Sequence, residues 1–288
     1  MSWVEIKGNV VDDTKFEVNG NWSVAVNQST AGALDLNAVW SESGGTGTHY
    51  EVTDIGPFAF QGCSSLTSIK MPNSVTSIGM FAFESCSGLT SINISNKVES
   101  IEQYSFSNCI KISSIIIPNS VTSIGSNAFA WCSGLTSLTL SSNVELIDEG
   151  AFRGCSGLTS IVIPSSVKSI GSEGFAYCSN LSTITSFVKN VFETGGEAFK
   201  SCDNATLYVP KGLVDAYRST ADWNRISKIV EMSNSYDVNS DGFIDISDVV
   251  ALVNAILSSS TGDSYDVNAD GSVDISDVVA LVNMILGQ

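Results

Sequence analysis

Apolar residues return at a fixed interval through most of the chain. Phenylalanine marks this interval at seven positions, Phe60, Phe83, Phe106, Phe129, Phe152, Phe175 and Phe199. Six cysteines also stand 23 residues apart and a seventh follows after 24, at Cys63, Cys86, Cys109, Cys132, Cys155, Cys178 and Cys202. A constant period in the low twenties is typical of a solenoid, in which no coil buries its apolar face without its neighbours.

Within one repeat, residues 89–94 alternate apolar and polar side chains in the manner of a short strand. Ile92 and Ile94 are expected to point into the core, and Ser91 and Asn93 outward. Each strand should stack in parallel on the next coil, about 4.8 Å away. Residues 81–83 should form a short helical turn before the cysteine. The pattern therefore predicts an α/β solenoid of seven coils, each of about 23 residues, with a parallel sheet.

The repeat unit resembles the BspA-like leucine-rich repeat family of bacterial surface proteins. The resemblance rests on the Leu-x-x-Leu-x-Leu pattern that begins at Leu89, and on its recurrence in the neighbouring units. It covers about residues 50–232 and implies a leucine-rich repeat fold. A solenoid of this kind is expected to bind its partners through the exposed face of its sheet.

The chain is predicted to divide into three parts, an N-terminal cap at 1–50, the solenoid with its C-terminal cap at 51–232, and a separate module at 233–288. The N-terminal part lacks the repeat but holds three of the five tryptophans, Trp3, Trp22 and Trp40. These rings either cover the apolar edge of the first coil or form an aromatic ligand platform, for instance for a glycan. In the second case residues 1–50 would belong to a truncated glycan-binding domain.

Local signals place elements at both ends of the solenoid. Residues 16–24 carry Asn19 and Gly20 between two alternating apolar runs, which predicts a β-hairpin. Residues 207–210 are predicted to form a final strand, and residues 211–231 a helix-rich segment that covers the last coil.

The outward positions of the predicted strands form two columns along the sheet. One column reads Ser68, Ser91, Ser114, Ser137, Ser160 and Thr183. The neighbouring column reads Lys70, Asn93, Ile116, Thr139, Val162 and Thr185. The side chains of this surface are mostly small and nearly all uncharged, so the surface is smooth. It therefore favours a protein ligand over a glycan or a charged molecule, with a plain spacer as the alternative.

Composition and charge exclude several classes of function. A formal net charge of −17 and a pI near 4.2 argue against nucleic acid or an anionic membrane surface as partner. No apolar run is long enough to span a bilayer. Residues 1–5 do not resemble a signal peptide, which leaves either an intracellular protein or one whose leader has been removed. The family resemblance favours a removed leader and an extracellular or cell-surface protein. The single histidine, His49, has no nucleophile paired with it, so no enzymatic activity is predicted.

The cysteines are predicted to be free thiols. All seven occupy one position of the repeat, which places them in the same buried environment as small apolar side chains. Stacked neighbours would lie within disulfide reach, so bridges are the alternative. A metal site is disfavoured because a ladder spreads its ligands instead of bringing them together.

The C-terminal module consists of two 22-residue segments that differ at four positions, 236–257 and 265–286. Each contains a twelve-residue run in which oxygen ligands occur at positions 1, 3, 5, 7, 9 and 12, with Gly242 or Gly271 at position 6. Calcium prefers hard oxygen ligands in this spacing, so two calcium ions are predicted. The proposed ligands are Asp237, Asn239, Asp241, the Phe243 carbonyl, Asp245 and Asp248, then Asp266, Asn268, Asp270, the Ser272 carbonyl, Asp274 and Asp277.

Each loop ends in Asp and is followed, but not preceded, by a predicted helix, at residues 249–257 and 278–286. Paired loop-then-helix units of this kind resemble the type I dockerin, which in cellulosomes binds a cohesin domain. The resemblance places the cohesin contacts at Ile246, Ser247, Val253 and Asn254, and at Ile275, Ser276, Val282 and Asn283. The usual Ser-Thr pair is here Ile-Ser, and the usual basic pair is Val-Asn.

Together these features predict a secreted or cell-surface binding protein that is tethered through a calcium-dependent module. The alternative is a surface adhesin in which calcium only stiffens the tail and no cohesin partner exists.

Overall fold

The structure, a computed structural model, describes residues 3–5, 16–19, 23–26, 32–36, 53–232, 238, 246–258, 265, 267 and 272–286. Near the N-terminus it contains three strands, β1 (Trp3–Glu5), β2 (Phe16–Asn19) and β3 (Ser23–Val26). The antiparallel pairing of β2 with β3, in which Asn19 lies opposite Ser23, confirms the predicted hairpin. The side chains of the three N-terminal tryptophans and His49 lie outside the described residues, so the choice between cap and platform stays a prediction.

Each coil of the solenoid contributes strands to two parallel sheets. The strands are β4 (Gly32–Asp35), β5 (Asp54–Ile55), β6 (Leu66–Lys70), β7 (Ser77–Ile78), β8 (Ser91–Asn93), β9 (Ser100–Ile101), β10 (Ser114–Ile116), β11 (Ser123–Ile124), β12 (Ser137–Thr139), β13 (Leu146–Ile147), β14 (Ser160–Ile163), β15 (Ser169–Ile170), β16 (Thr183–Ser186), β17 (Thr206–Val209) and β18 (Lys228–Glu231). Strands β5, β7, β9, β11, β13 and β15 pair in order as one sheet, and the remaining strands from β4 onward lie along the other face. This confirms the predicted parallel-sheet solenoid, which has about eight coils instead of the predicted seven.

The strand register follows the 23-residue period. Ser68 lies opposite Ser91, and Ser114 opposite Ser137, as equal offsets in successive repeats require. One predicted outward residue is an exception, because Thr185 is buried. Its neighbours on the two adjoining strands are Val162 and Tyr208, which both have larger side chains.

The solenoid interior holds two ladders of identical side chains. The phenylalanine rings from Phe60 to Phe199 stack along the axis with centroids 4.9 to 5.8 Å apart. All seven cysteines are free and buried, which confirms the thiol prediction. Six of the thiols donate a hydrogen bond to a phenylalanine carbonyl of the preceding coil, as Cys132 Sγ does to Phe106 O at 3.2 Å.

Burial also changes the acidity of these thiols. It raises the pKa of Cys63 to about 11 and the pKa values of Cys132 and Cys202 to about 12. The thiols are therefore protonated at neutral pH and chemically quiet, because the thiolate is the reactive form.

The segment before each cysteine is not the predicted helical turn. It is a chain of reverse turns, such as the bonds from Ala82 N to Gly79 O and from Glu84 N to Phe81 O. Two residues in every coil take left-handed backbone angles, for example Phe81 with φ of 57° and Ser85 with φ of 58°. This conformation turns backbone groups toward the next coil, so that Phe81 N bonds Gln103 O and Phe83 N bonds Ser105 O.

The C-terminal end of the solenoid is closed by aromatic side chains. Helix α1 (Val214–Ser219) and a 3-10 turn (Trp223–Arg225) bring Tyr217 and Trp223 into fully buried positions. The Tyr217 hydroxyl donates to Val188 O at 2.7 Å, and Trp223 Nε1 donates to Phe192 O at 2.9 Å. The predicted helix-rich segment is thus correct only in part, because β18, whose Ile229 is buried, extends the sheet as a further parallel strand.

Candidate metal site and docking face

Two helices organise the C-terminal segment, α2 (Ile246–Leu257) and α3 (Ile275–Leu286). Leu252 and Leu281 are fully buried between them and pack with Val238 and Val267. These two valines are the second residues of the two predicted calcium loops. Each loop is therefore anchored at its start to the apolar core of the helix pair, and at its end to the first turn of a helix.

Four of the twelve predicted ligands lie among the described residues, namely Asp248, Ser272, Asp274 and Asp277. Asp248 and Asp277 are completely buried, whereas Ser272 and Asp274 are exposed. The other eight lie outside the described residues: Asp237, Asn239, Asp241, Phe243, Asp245, Asp266, Asn268 and Asp270. Within the described ranges, no three His, Cys, Asp or Glu side chains are grouped closely enough to hold a metal ion.

The Asp277 carboxylate is held by the backbone of its own loop. Its Oδ1 accepts a hydrogen bond from Val267 N at 2.7 Å, and its Oδ2 accepts one from Asp274 N at 2.8 Å. Asp274 Oδ1 in turn accepts from Ser276 N at 2.7 Å. Asp274 and Asp277 thus form a reciprocal capping box at the start of α3, which explains why the helix begins three residues before its predicted start.

The donor set fits a hard cation. A buried carboxylate is costly unless a positive charge or several hydrogen bonds compensate it. Residues 233–288 contain neither Lys nor Arg, so no side chain of this segment supplies that charge. Calcium is bound in proteins by carboxylate and carbonyl oxygens, and the fixed Asp277 carboxylate presents oxygen atoms of this kind.

The predicted docking residues differ in their exposure. Asn254 and Asn283 are exposed, and Val253, Ser276 and Val282 are half-buried. Ile275 is an apolar side chain with 70% of its surface exposed. The side chains of Ile246 and Ser247 lie outside the described residues.

Sequence reasoning missed three exposed apolar residues on the same helices. Val250 and Val279 are each more than half exposed, and Leu257 is almost fully exposed. The missed signal is helical spacing, because Val279 stands four residues after Ile275, and residues four apart lie on the same side of a helix. The candidate docking face is therefore more apolar than the predicted residues alone suggest.

None of the helices in the described ranges is long and apolar enough to cross a membrane.

Two family profiles match the sequence. The profile described as "BspA type Leucine rich repeat region" matches residues 49–156, 99–221 and 147–247. The profile described as "Dockerin type I domain" matches residues 235–286. A comparison with curated proteins found no match.

Several solved structures have a similar fold. The leucine-rich repeat protein of T. pallidum is 25% identical, with a TM-score of 0.56, and the match covers 74% of this chain and 96% of that chain. A leucine-rich cell surface protein of Faecalibacterium prausnitzii is 23% identical, with a TM-score of 0.46 over 77% of this chain and 72% of that chain. A leucine-rich repeat protein of Bacteroides ovatus is 22% identical, with a TM-score of 0.38 over 79% and 75%.

Proposed function

Because the chain belongs to the BspA-type leucine-rich repeat family and carries a type I dockerin domain, we propose that it is a non-catalytic binding protein assembled through calcium-dependent docking. Leucine-rich repeat solenoids are protein-interaction folds, and type I dockerins bind calcium and typically bind cohesin. Both are families of binding modules without catalytic activity. The proposed location is extracellular or at the cell surface.

The observation that carries the docking proposal is the repeated unit of loop and helix with a buried last carboxylate. Asp248 and Asp277 occupy the same place in the two units, in the first turn of α2 and of α3. Two calcium ions would each be held by one loop and supply the positive charge that this segment lacks. The chain's own residues then fix the orientation of each helix, because Asp277 ties the end of its loop to its beginning.

The proposed cohesin contacts lie on two equivalent faces. One face contains Ile246, Ser247, Val253 and Asn254, and the other contains Ile275, Ser276, Val282 and Asn283. Since the helix sequences differ only at Ala255 and Met284, either face would present the same chemistry to one partner. The exposed Ile275 and Val279 favour a cohesin with an apolar recognition surface.

The solenoid would present a second, independent surface to a protein ligand. Its outward Ser91, Ser114, Ser137 and Ser160 are exposed and uncharged, and Ile116 between them is 72% exposed. This surface is smooth enough for a protein to lie across several coils. The proposed domain boundaries are 1–50, 51–232 and 233–288, although β4 already joins the solenoid sheet by pairing with β6.

A second candidate function is a surface adhesin whose calcium module is structural only. The observation that favours it is the Ile-Ser and Val-Asn pairs, which differ from the usual docking residues of the dockerin family.

Calorimetric titration of the full chain with a panel of purified cohesin domains separates the two candidates. Docking predicts one cohesin bound per chain in millimolar calcium, and no heat of binding after calcium is removed with EDTA. The control is Asp215→Asn, which changes an exposed carboxylate outside residues 233–288 and should retain binding. If no cohesin in the panel binds the calcium-loaded chain, the adhesin candidate replaces the docking proposal.

A further inference from the structure

One column of the turns departs from the repeat in two alternate coils. The residue directly before each cysteine is left-handed in all seven coils, and the column reads Gly62, Ser85, Asn108, Trp131, Gly154, Tyr177 and Ser201. Five coils make this turn with a glycine or a small polar residue, so the fold itself does not require an aromatic ring there. The two large rings, Trp131 and Tyr177, flank a glycine, and the residue before that glycine is Arg153.

Trp131, Arg153, Gly154 and Tyr177 form one contiguous cluster. A Cβ added at Gly154 would overlap Cε3 of the Trp131 indole, so the ring occupies the space that a side chain there would take. It stacks against Tyr177 two coils away, with ring centroids 6.4 Å apart and planes at 20°. The Arg153 guanidinium lies over both rings, 5.5 Å from the Trp131 centroid and 5.3 Å from that of Tyr177.

Charged partners fix this cluster in place. Arg153 Nη1 pairs with Glu173 Oε2 at 2.5 Å, and Lys200 Nζ pairs with Glu197 Oε2 at 2.8 Å. Lys200 also lies over the Tyr177 ring, 5.6 Å from its centroid. The cluster is therefore pre-arranged, and its charges compensate one another in pairs.

Trp131 is nevertheless 45% exposed. Its partners Gly154, Arg153 and Tyr177 all belong to the two following coils, and part of the residue stays open to solvent. An aromatic ring that packs on its own protein and is partly open to solvent gives an apolar platform at the protein surface. The paired Arg153 and Glu173 supply donors and acceptors beside it.

We propose that Trp131, together with Arg153, Glu173 and Tyr177, forms a binding platform for a neutral oligosaccharide. A sugar ring presents a flat face of C–H groups to an indole, and its hydroxyl groups both donate and accept hydrogen bonds, which matches a paired guanidinium and carboxylate. A neutral ligand is favoured because the local charges are balanced and the chain carries a net charge of −17. This site is separate from the outward sheet face and from the docking module.

A protein ligand fits this cluster less well. A stable protein interface buries about 800 Å² on each partner around an aromatic or apolar core, whereas the exposed part of one tryptophan offers only a fraction of that area. The other aromatic group on these turns is a stack of Phe58, Phe81 and Tyr104, with centroids 5.1 and 4.9 Å apart. Phe58 is 40% exposed but lies away from the paired Arg153 and Glu173 that supply donors and acceptors beside Trp131, so it serves as an internal control.

The test is affinity electrophoresis of the calcium-loaded full chain in native gels that contain soluble polysaccharide. The probes are barley β-glucan, arabinoxylan, xyloglucan and galactomannan, with polygalacturonate as the anionic comparison. We expect at least one neutral polysaccharide to retard the chain. Trp131→Ser, which installs the residue found at positions 85 and 201, should raise the dissociation constant at least about tenfold, on the scale of one lost stacking contact. Phe58→Ser should leave it unchanged.

Two further measurements distinguish a folding defect of the variant from the loss of the binding site. Circular dichroism melting checks that Trp131→Ser remains folded, and Tyr177→Ser, which removes the support beneath the indole, should independently weaken retardation. The proposal is overturned if none of the four neutral polysaccharides retards the wild-type chain, or if polygalacturonate alone does. It is also overturned if folded Trp131→Ser is retarded as strongly as wild type.

Discussion

The thiol ladder makes the stability of the solenoid sharply dependent on alkaline pH. Burial raises the pKa of Cys63 to about 11 and the pKa values of Cys132 and Cys202 to about 12, from an ordinary value of 9.0. Burial also raises the pKa values of the other four thiols, at Cys86, Cys109, Cys155 and Cys178. Between pH 9 and these raised values, the unfolded chain ionises its thiols while the folded chain keeps them protonated.

The sign and size of the effect follow from proton linkage. The unfolded state binds fewer protons in this range, so the free energy of unfolding falls as pH rises. At pH 10 the contribution of each buried thiol to the free energy of unfolding is lower by about 1.4 kcal/mol. This is the energy that corresponds to one pH unit above the pKa of the thiol in the unfolded chain. The ladder as a whole then loses about 10 kcal/mol, which is comparable with the entire stability of a typical domain. We therefore expect the solenoid to unfold near pH 10.

Urea denaturation at pH 8, 9 and 10 under reductant, followed by circular dichroism, measures this dependence. Cys132→Ala removes one titrating thiol, so the free energy of unfolding should fall by about 1.4 kcal/mol less between pH 8 and pH 10 than in wild type. Buried Tyr217, whose pKa is raised to about 12, acts in the same direction but is common to both proteins. A stability that stays level from pH 8 to pH 10, or a slope that Cys132→Ala leaves unchanged, would refute the buried thiol ladder.

Three other predictions concern the docking module and the core. Calcium at 100 times its dissociation constant should slow amide exchange across 272–286 roughly 100-fold, and Asp277→Asn should abolish this slowing. Exchange in peptides of 66–209 should not change. Equal protection in the variant and in wild type would contradict the assignment of Asp277 as a ligand. Charged residues at Ile246 and Ser247 alone, or at Ile275 and Ser276 alone, should leave cohesin capture intact, and the fourfold variant should abolish it; loss from one pair disproves two equivalent faces. Phe129→Ala, which empties a fully buried position in the phenylalanine stack, should lower the free energy of unfolding in urea by about 3–5 kcal/mol. Phe58→Ala, at an exposed position, should lower it by less than about 1 kcal/mol. Similar losses in the two variants would be inconsistent with the buried ladder.

The sequence period was sufficient to predict the strand register. Ser68 and Ser91 stand 23 residues apart and lie opposite each other, because a solenoid places equal offsets of the repeat side by side. The hairpin after Phe16 was equally accessible, since Asn-Gly between alternating runs is a local signal. Predictions of this kind succeed where neighbouring coils and local propensity favour the same structure.

The turn conformation was not predictable by the same means. Left-handed backbone angles are typical of Gly and Asn, yet Phe58, Tyr104 and Trp131 adopt them, at a cost of about 1–2 kcal/mol each. Hydrogen bonds between coils outweigh this local preference, as in the bond from Phe58 N to Met80 O. The position of the Trp131 ring depends in addition on the absence of a side chain at Gly154, 23 residues later in the sequence.

In the docking module, sequence spacing predicted the ligand types and the existence of both helices. It placed the start of the second helix at residue 278, whereas α3 begins at Ile275. The difference arises because Asp274 caps the helix while it also belongs to the predicted loop. Because Asp274 serves both the predicted loop and the helix cap, ligand spacing alone does not show where the helix begins.

The hydrogen bonds from six of the seven thiols to phenylalanine carbonyls also bear on how the chain reaches its native state. Seven cysteines that paired as three bridges with one left over would allow on the order of a hundred arrangements, almost all of them wrong. Because these thiols act as donors, no oxidant or isomerase is needed to sort them, and slow bridge reshuffling is absent from the folding path. A coil added by gene duplication would bring its own donor and acceptor, so such an array can lengthen without acquiring a mispairing problem.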